Sequence, residues 1–192
     1  SGLKNNFDII ASDIVNSSDQ EIEYVKSDIT NYEQIKKISQ GTDVIINLVA
    51  HTLVSSFEQI IINAQVNIIG MLNVLESARV NNIKKVIFPS ASSMIGTAKE
   101  NPVSELHPAT PKTAYGISKL ACENYLRIYK ELYDINYIVF RFFNIYGPHQ
   151  SNGLIPSIFS KLQNNEPIQV FGKGNQMRDY VYIKDIVEYF SK

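Results

Sequence analysis

Residues 44–49 read Val-Ile-Ile-Asn-Leu-Val, a nearly continuous run of β-branched and aliphatic side chains. Such a run predicts a strand that is covered on both faces, because a half-exposed strand would alternate apolar and polar residues. Apolar residues at helical spacing precede it over residues 31–38 and follow it over residues 64–80. Strand and helix therefore alternate around this segment, which predicts a parallel, doubly wound α/β sheet.

The same alternation continues on both sides of the segment. Further short apolar runs predict strands at residues 7–11, 21–25, 86–88 and 137–140. The longest helical pattern covers residues 113–132. After Gly147-Pro148, glycines, prolines and a pair of asparagines divide the chain into short pieces. We therefore predict an α/β domain over residues 1–148 and a second, smaller lobe over residues 149–192.

Composition excludes several classes of function. Lys and Arg total 18 against 19 Asp and Glu without a basic block, so we expect no nucleic-acid partner. The single cysteine, Cys122, cannot form an intrachain disulfide, and no apolar run approaches the roughly 18 residues of a membrane span. We therefore expect a cytoplasmic protein without a membrane partner. The three histidines lack metal-ligand spacing, so we predict no metal site.

Polar residues follow several of the predicted strands. In open parallel sheets ligands bind beyond the carboxyl ends of the strands, where we find Asp13, Asp28, Ala50, Ser90 and Asn144. Asp13 is suited to accept hydrogen bonds from an adenosine ribose, and its charge would repel the 2′-phosphate of NADP. An isolated aspartate at a strand end more often caps a turn.

Tyr115 and Lys119 lie four residues apart on the longest predicted helix, so their side chains share a face. A tyrosine that acts as a base near neutral pH needs its pKa lowered by roughly three units, or about 4 kcal/mol. The Lys119 ammonium and a bound nicotinamide cation would each favour the phenolate. Alone, such a pair is usually a packed or solvated helix face, so the neighbouring motifs must decide.

The ordered set of motifs resembles the extended short-chain dehydrogenase/reductase family, in particular its NAD-dependent, UDP-glucose 4-epimerase-like nucleotide-sugar epimerases and dehydratases. The matching segments are a small-residue strand end at residues 90–93, Tyr115-Gly-Ile-Ser-Lys119, Arg141-Phe-Phe-Asn-Ile-Tyr-Gly-Pro148, and residues 47–50, 66–70, 153–156 and 171–180. They cover nearly the whole chain. The resemblance implies a Rossmann-like NAD-binding domain over residues 1–148 and part of a substrate-binding lobe over residues 149–192.

The resemblance also implies roles for individual residues. Tyr115 would take a proton from a sugar hydroxyl while hydride passes to NAD, and Lys119 would grip the cofactor ribose. Asn144 would contact the nucleotide sugar, and Arg178 its pyrophosphate, although Arg178 could instead pair with Asp179 or Asp185. The cofactor contacts implied are Asp13, Asp28, Ile29, Leu48, Ala50, Asn67, Ser90, Tyr115 and Lys119.

The chain departs from the family pattern after its fourth predicted strand. Ala91 stands where the family places a catalytic serine or threonine, so we predict that Ser92 replaces it in contacting the substrate, with Ser90 as the alternative. Family dehydratases carry an acidic pair where this chain has Ser92-Ser93. Epimerisation of a UDP-hexose is therefore favoured over a dehydratase or reductase activity.

No G-x-x-G-x-x-G turn and no strand before it occur in these residues, although that turn would hold the dinucleotide pyrophosphate. We expect the chain to be truncated at both ends, and a non-catalytic pseudoenzyme is the alternative to an active enzyme. The predicted helices at residues 64–80 and 113–132 would form a four-helix bundle in a homodimer, as the family often does.

Overall fold

A computed structural model describes residues 3–4, 6–17, 21–170 and 172–191. The packing divides the chain into two compact units. The larger unit covers residues 9–141, and the smaller unit covers residues 142–192 together with residues 1–8.

The larger unit alternates strands and helices. Its strands are β1 (Ile10–Asp13), β2 (Glu23–Lys26), β3 (Val44–Ile46), β4 (Lys85–Ala91) and β5 (Asn136–Phe142, which ends at the start of the smaller unit). Its helices are α1 (Tyr32–Ile38), α2 (Ile60–Asn63), α3 (Gly70–Val80) and α4 (Ala114–Tyr133). A π-helical turn, Ala64–Ile69, joins α2 to α3, and 3₁₀ turns lie at Ser55–Phe57 and Ser92–Met94.

The strands form two separate sheets. β1 pairs in parallel with β2, with Ile10 opposite Glu23, and β3 pairs in parallel with β4, with Val44 opposite Lys85. The second sheet has the order β3-β4-β5. A doubly wound sheet usually has the strand order 3-2-1-4-5-6. The described residues include strands on both sides of position 1 but no strand at position 1 itself. The predicted α/β fold without its first strand is confirmed.

Helices α3 and α4 pack against β4 and enclose the core of the larger unit. The core consists of closely packed, buried apolar side chains, and six of them are at most 3% exposed: Met71, Val74, Leu75, Val86, Phe88 and Leu126. Helix α4 begins after Thr113, whose Oγ1 accepts a hydrogen bond from the Gly116 amide at 3.0 Å. This cap fixes the first turn of the helix, where Tyr115 lies.

The helical stretch Ile60–Val80 begins earlier than the predicted residue 64. By length and composition this stretch could cross a membrane, so the expectation that no stretch approaches a span is wrong. Composition alone is weak evidence for a membrane helix, because the core helix of a globular domain has the same character. Here Met71 and Leu75 of the stretch are fully buried in the core of the larger unit.

The smaller unit contains β6 (Asn144–Tyr146), α5 (Leu154–Gln163), β7 (Tyr180–Tyr182) and α6 (Ile183–Phe190). β6 and β7 pair in parallel, with Asn144 opposite Tyr180. The sequence predicted only short pieces between residue 148 and α6, whereas α5 is a regular helix of 10 residues. It fits between two breaks, since Gly153 precedes it at a φ of 118° and Asn165 follows at a φ of 55°.

Candidate active site

Tyr115 and Lys119 lie on the first two turns of α4 and face the same side of the helix. The Lys119 Nζ lies 5.6 Å from the centroid of the Tyr115 ring and 4.5 Å from that of Phe88. It donates a hydrogen bond to the carbonyl oxygen of Pro89 at 2.8 Å, and Lys119 is only 3% exposed. The helix therefore brings a phenol and an ammonium together against the C-terminal end of strand β4.

Burial dominates the ionisation of both groups. It lowers the pKa of Lys119 to about 8, because the charged form loses hydration. Burial also raises the pKa of Tyr115, since the phenolate is the charged form of that group. At neutral pH the pair therefore consists of an ammonium and a neutral phenol, and phenolate formation needs further positive charge nearby.

Asn67, on the π-helical turn, joins two segments of the site. Its Oδ1 accepts a hydrogen bond from the His51 amide at 2.7 Å, and its Nδ2 donates to the His51 carbonyl at 3.1 Å. The same Nδ2 donates to the Ser118 hydroxyl at 2.9 Å, and that hydroxyl donates to the Tyr115 carbonyl at 2.8 Å. Asn67 thus ties the loop after β3 to the turn of α4 that carries Tyr115, while its predicted cofactor contact stays a prediction.

Hydroxyl side chains surround Ala91 at the end of β4. The Oγ atoms of Ser90 and Ser93 are buried and have no hydrogen-bond partner among the described residues. Ser92 begins the 3₁₀ turn, and a Cβ placed on Gly116 would overlap the carbonyl oxygen of Ser93. The serine turn therefore packs directly against the start of α4, next to Tyr115. The substrate role of Ser92 stays a prediction.

Two predicted cofactor residues cap turns with their carboxylates. Asp13 ends β1, and its Oδ1 accepts hydrogen bonds from the amides of Ile14 at 2.6 Å and Val15 at 3.4 Å. Asp28 accepts from the amide and hydroxyl of Thr30, both at 2.8 Å. Both aspartates are exposed, so each retains carboxylate oxygen for a ligand while it caps its turn.

The three remaining cofactor candidates differ in exposure. Ile29 is buried, and its side chain lies so close to Gly70 that a Cβ there would meet it at 2.9 Å. Leu48 is 68% exposed, and Ala50 is half-buried, in the loop after β3. Ile29 therefore packs against α3, and Leu48 presents an apolar surface to solvent; the cofactor contacts of Ile29, Leu48 and Ala50 stay predictions.

The predicted substrate residues Asn144 and Arg178 lie in the smaller unit and are exposed. Asn144 donates from Nδ2 to the Asp179 carbonyl at 2.8 Å, and Arg178 donates from Nη1 to the Met177 carbonyl at 2.8 Å. No ion pair joins Arg178 to Asp179 or Asp185 among the described residues. The guanidinium therefore retains donors for a ligand.

Sequence reasoning did not find Ser118 or the Pro89 carbonyl. Ser118 precedes Lys119 directly, but nothing in its spacing distinguishes it from any polar helix residue. A carbonyl oxygen carries no side-chain signal at all.

Comparison with known proteins identifies relatives along the whole chain. A family model described as the NAD dependent epimerase/dehydratase family matches residues 3–192. A UDP-glucose 4-epimerase of Mycolicibacterium smegmatis is 32% identical over 88% of this chain, and the match covers 56% of that enzyme.

Two solved structures share this fold. A UDP-N-acetylglucosamine 4-epimerase from Methanobrevibacter ruminantium, in complex with UDP-N-acetylmuramic acid, superimposes with a TM-score of 0.91 at 28% identity, over 97% of this chain and 65% of that one. A UDP-glucuronic acid 4-epimerase from Bacillus cereus, in complex with UDP-glucuronic acid and NAD, gives 0.80 at 28% identity, over 88% and 55%. The chain thus spans less than two thirds of each of these relatives.

Proposed function

The chain belongs to the NAD-dependent epimerase/dehydratase family, and we propose that it carries the catalytic residues of a nucleotide-sugar 4-epimerase acting on a UDP-hexose. The observation that carries this proposal is the placement of the Lys119 ammonium beside the Tyr115 ring at the end of β4. A phenol and an ammonium held together in a buried site can move a proton to and from a sugar hydroxyl.

In the proposed reaction the phenolate form of Tyr115 accepts the proton of the hexose C4 hydroxyl as hydride leaves the same carbon, and Tyr115 becomes a neutral phenol. Before this transfer the Lys119 ammonium stabilises the phenolate, because an opposite charge nearby favours the ionised form. Tyr115 then returns the proton when hydride is delivered to the other face of the keto sugar. NAD, when bound, accepts and returns the hydride.

The residues of the larger unit fit parts of NAD. The unpaired hydroxyls of Ser90 and Ser93 and the ammonium of Lys119 provide polar groups for a nicotinamide riboside. Asp13 provides a carboxylate for the adenosine ribose. No glycine-rich turn for the pyrophosphate occurs in the sequence, so we expect weak binding of NADH by these 192 residues. Tight binding in calorimetry would contradict that expectation.

The neutral turn after β4 favours an epimerase over a dehydratase. Elimination of water requires an acid and a base beside the sugar. The residues at this turn are Ser92 and Ser93, which do not ionise near neutral pH. The alternative, a dehydratase or reductase of the same family, would need its acid and base from elsewhere. A non-catalytic pseudoenzyme is the second alternative, and Ala91 at the usual hydroxyl position favours it.

The test is incubation of the protein with UDP-glucose and NAD, followed by NMR of the products. Appearance of UDP-galactose supports the proposal, a 4-keto-6-deoxy sugar supports the dehydratase, and NADH binding without turnover supports the pseudoenzyme. Tyr115→Phe should lower kcat by at least about a hundredfold. Tyr125→Phe, a matched change at an exposed tyrosine of the same helix, should leave kcat unchanged.

We also propose that the protein forms a homodimer through α2, α3 and α4. These helices and the π-helical turn between α2 and α3 expose large apolar side chains, including Ile61, Ile69, Leu132 and Tyr133. Apolar helix faces of this kind are buried by packing against a second copy. Light scattering should give twice the monomer mass, and Leu132→Glu should lower it, whereas Leu106→Glu in an exposed loop should not. A monomer at high concentration would rule out this dimer.

A further inference from the structure

Glu123, one turn after Lys119 on α4, forms an ion pair with Arg141 of β5. The Arg141 Nη2 and Nε donate to the Glu123 Oε2 at 2.8 and 3.2 Å, and Nε also approaches Oε1 at 3.3 Å. The Arg141 Nη1 donates to the Glu105 carbonyl oxygen at 2.9 Å. One guanidinium from β5 therefore holds both the catalytic helix and the loop that leads into it.

The Glu123 carboxylate is largely enclosed. Its side chain is 10% exposed and that of Arg141 is 35% exposed. A carboxylate with so little water around it requires a partner, since an unpaired buried charge is strongly destabilising. Arginine suits the position better than lysine, because its planar fork reaches the carboxylate and a backbone carbonyl at once.

Tyr115, Lys119 and Glu123 follow one another at steps of four residues, so they line one face of α4. The Glu123 charge raises the pKa of Lys119 and so opposes the effect of burial. Cys122 also lies near, but burial raises the pKa of its thiol to about 12, so it carries no charge at neutral pH.

The elements packed against this part of α4 carry few other charges. Strand β4 presents the Phe88 ring and the Pro89 carbonyl to Lys119. The serine turn Ser92–Met94, the π-helical turn Ala64–Ile69 and helix α2 contain no titratable side chain. In helix α3, Glu76 and Arg79 pair with each other. The acidic side chain whose charge acts on Lys119 is thus Glu123, on α4 itself.

We propose that Glu123 and Arg141 are positioning residues: the carboxylate favours the ammonium form of Lys119, and the guanidinium weakens that effect while it fixes α4 to the loop at Glu105. The proposal rests on the proposed function only for the catalytic task of Lys119. The proposal requires the two charges to change the titration of Lys119 in opposite directions, whereas a pair that only stabilises the fold would leave that titration unchanged.

The experiment follows the titration of Lys119 by NMR in protein labelled with ¹³C-lysine, and the signal is assigned by its loss in Lys119→Met. Glu123→Gln should lower the titration midpoint of Lys119 by about half a pH unit, because the stabilising carboxylate is lost. Arg141→Gln should raise the midpoint, because the carboxylate then acts without its counter-charge. Unchanged midpoints, or shifts of the same sign in both variants, would overturn the proposal.

Matched controls use the ion pair of Arg127 and Glu131, which lies exposed on the same helix with a separation of 2.9 Å. Arg127→Gln and Glu131→Gln make the same charge changes and should leave the Lys119 midpoint in place. If Arg141→Gln does not fold, Arg141→Lys keeps the charge and should retain the midpoint while the thermal unfolding temperature falls. A lowered midpoint in folded Arg141→Lys would also contradict the proposal.

The readout separates the two proposals. If the Lys119 midpoints shift as expected but the pH profile of epimerase activity does not follow them, the catalytic role of Lys119 fails while the positioning role stands. If the activity depends on Lys119 but its midpoint ignores both substitutions, the positioning role fails.

Discussion

Strand β4, in the middle of the β3–β5 side of the larger unit, and strand β1 of the β1–β2 side differ in how completely they are enclosed. Leu75 and Phe88, which pack at β4, are at most 2% exposed, whereas Ile10 of β1 is 41% exposed and Ile14 just after it is 60% exposed. The core around β4, next to Tyr115, is therefore closed, whereas β1, which ends at Asp13, has an open edge among the described residues; we call these the closed side and the open side. In the proposed function, the placement of Tyr115 beside Lys119 depends on the closed side alone, while affinity for the cofactor would depend on both sides.

The largest expected effect comes from equal truncations on the two sides. Leu75→Ala should lower the free energy of unfolding by about 2 to 5 kcal/mol, because it removes a fully buried side chain and leaves a cavity. Ile10→Ala should cost less than about 1 kcal/mol, since this side chain is already half in water. Urea unfolding of both variants measures the difference. Equal losses would show that the β1–β2 side is as closed as the other.

Much of the closed side could be predicted from its sequence. The helix period alone placed Tyr115 and Lys119 on one face. The apolar run at residues 44–49 predicted a strand covered on both faces, but β3 ends at Ile46, and Val44 and Leu48 are exposed, so this part of the prediction is wrong. The β1 prediction was less accurate, at residues 7–11 against the observed Ile10–Asp13. Hydrophobicity marked Phe7, yet Phe7 is 51% exposed, because an apolar run does not reveal where backbone pairing begins.

The polar ties of the site could not be predicted. Lys119 reaches Pro89 across 30 residues, and Asn67 reaches Ser118 across 51 residues. Contacts at such separation depend on how strands and helices pack, and local spacing carries no record of them. The pairing of Arg141 with Glu123, 18 residues apart on different elements, is invisible for the same reason.

The second prediction concerns the cost of the buried ammonium on the closed side. Burial lowers the pKa of Lys119 from 10.5 to about 8, so the unfolded chain holds this proton more tightly than the folded chain. The resulting loss of stability is complete below about pH 8 and disappears as the pH rises towards 10.5. Lys119→Met should therefore raise the free energy of unfolding by about 2 kcal/mol at neutral pH and abolish turnover.

The gain in the free energy of unfolding from Lys119→Met should shrink as the pH rises from about 8 towards 10.5. Urea unfolding at several pH values measures this change. Lys112→Met is the control, because Lys112 is exposed in the loop before α4 and should give little change at any pH. A destabilised Lys119→Met at every pH would mean that the hydrogen bond to Pro89 outweighs the lost hydration of the ammonium.

The smallest expected change in stability tests the open edge. Ile10 lies on β1, whose second edge has no partner strand among the described residues. An apolar strand edge of this kind favours pairing with another chain, and a lysine there blocks it. Ile10→Lys should therefore alter the free energy of unfolding by less than about 0.5 kcal/mol while it reduces concentration-dependent aggregation in light scattering. Leu106→Lys adds the same charge at a loop residue that is 93% exposed and should leave aggregation unchanged. Equal suppression by both variants would assign the effect to net charge, and the β1 edge would then behave like any other surface of the larger unit.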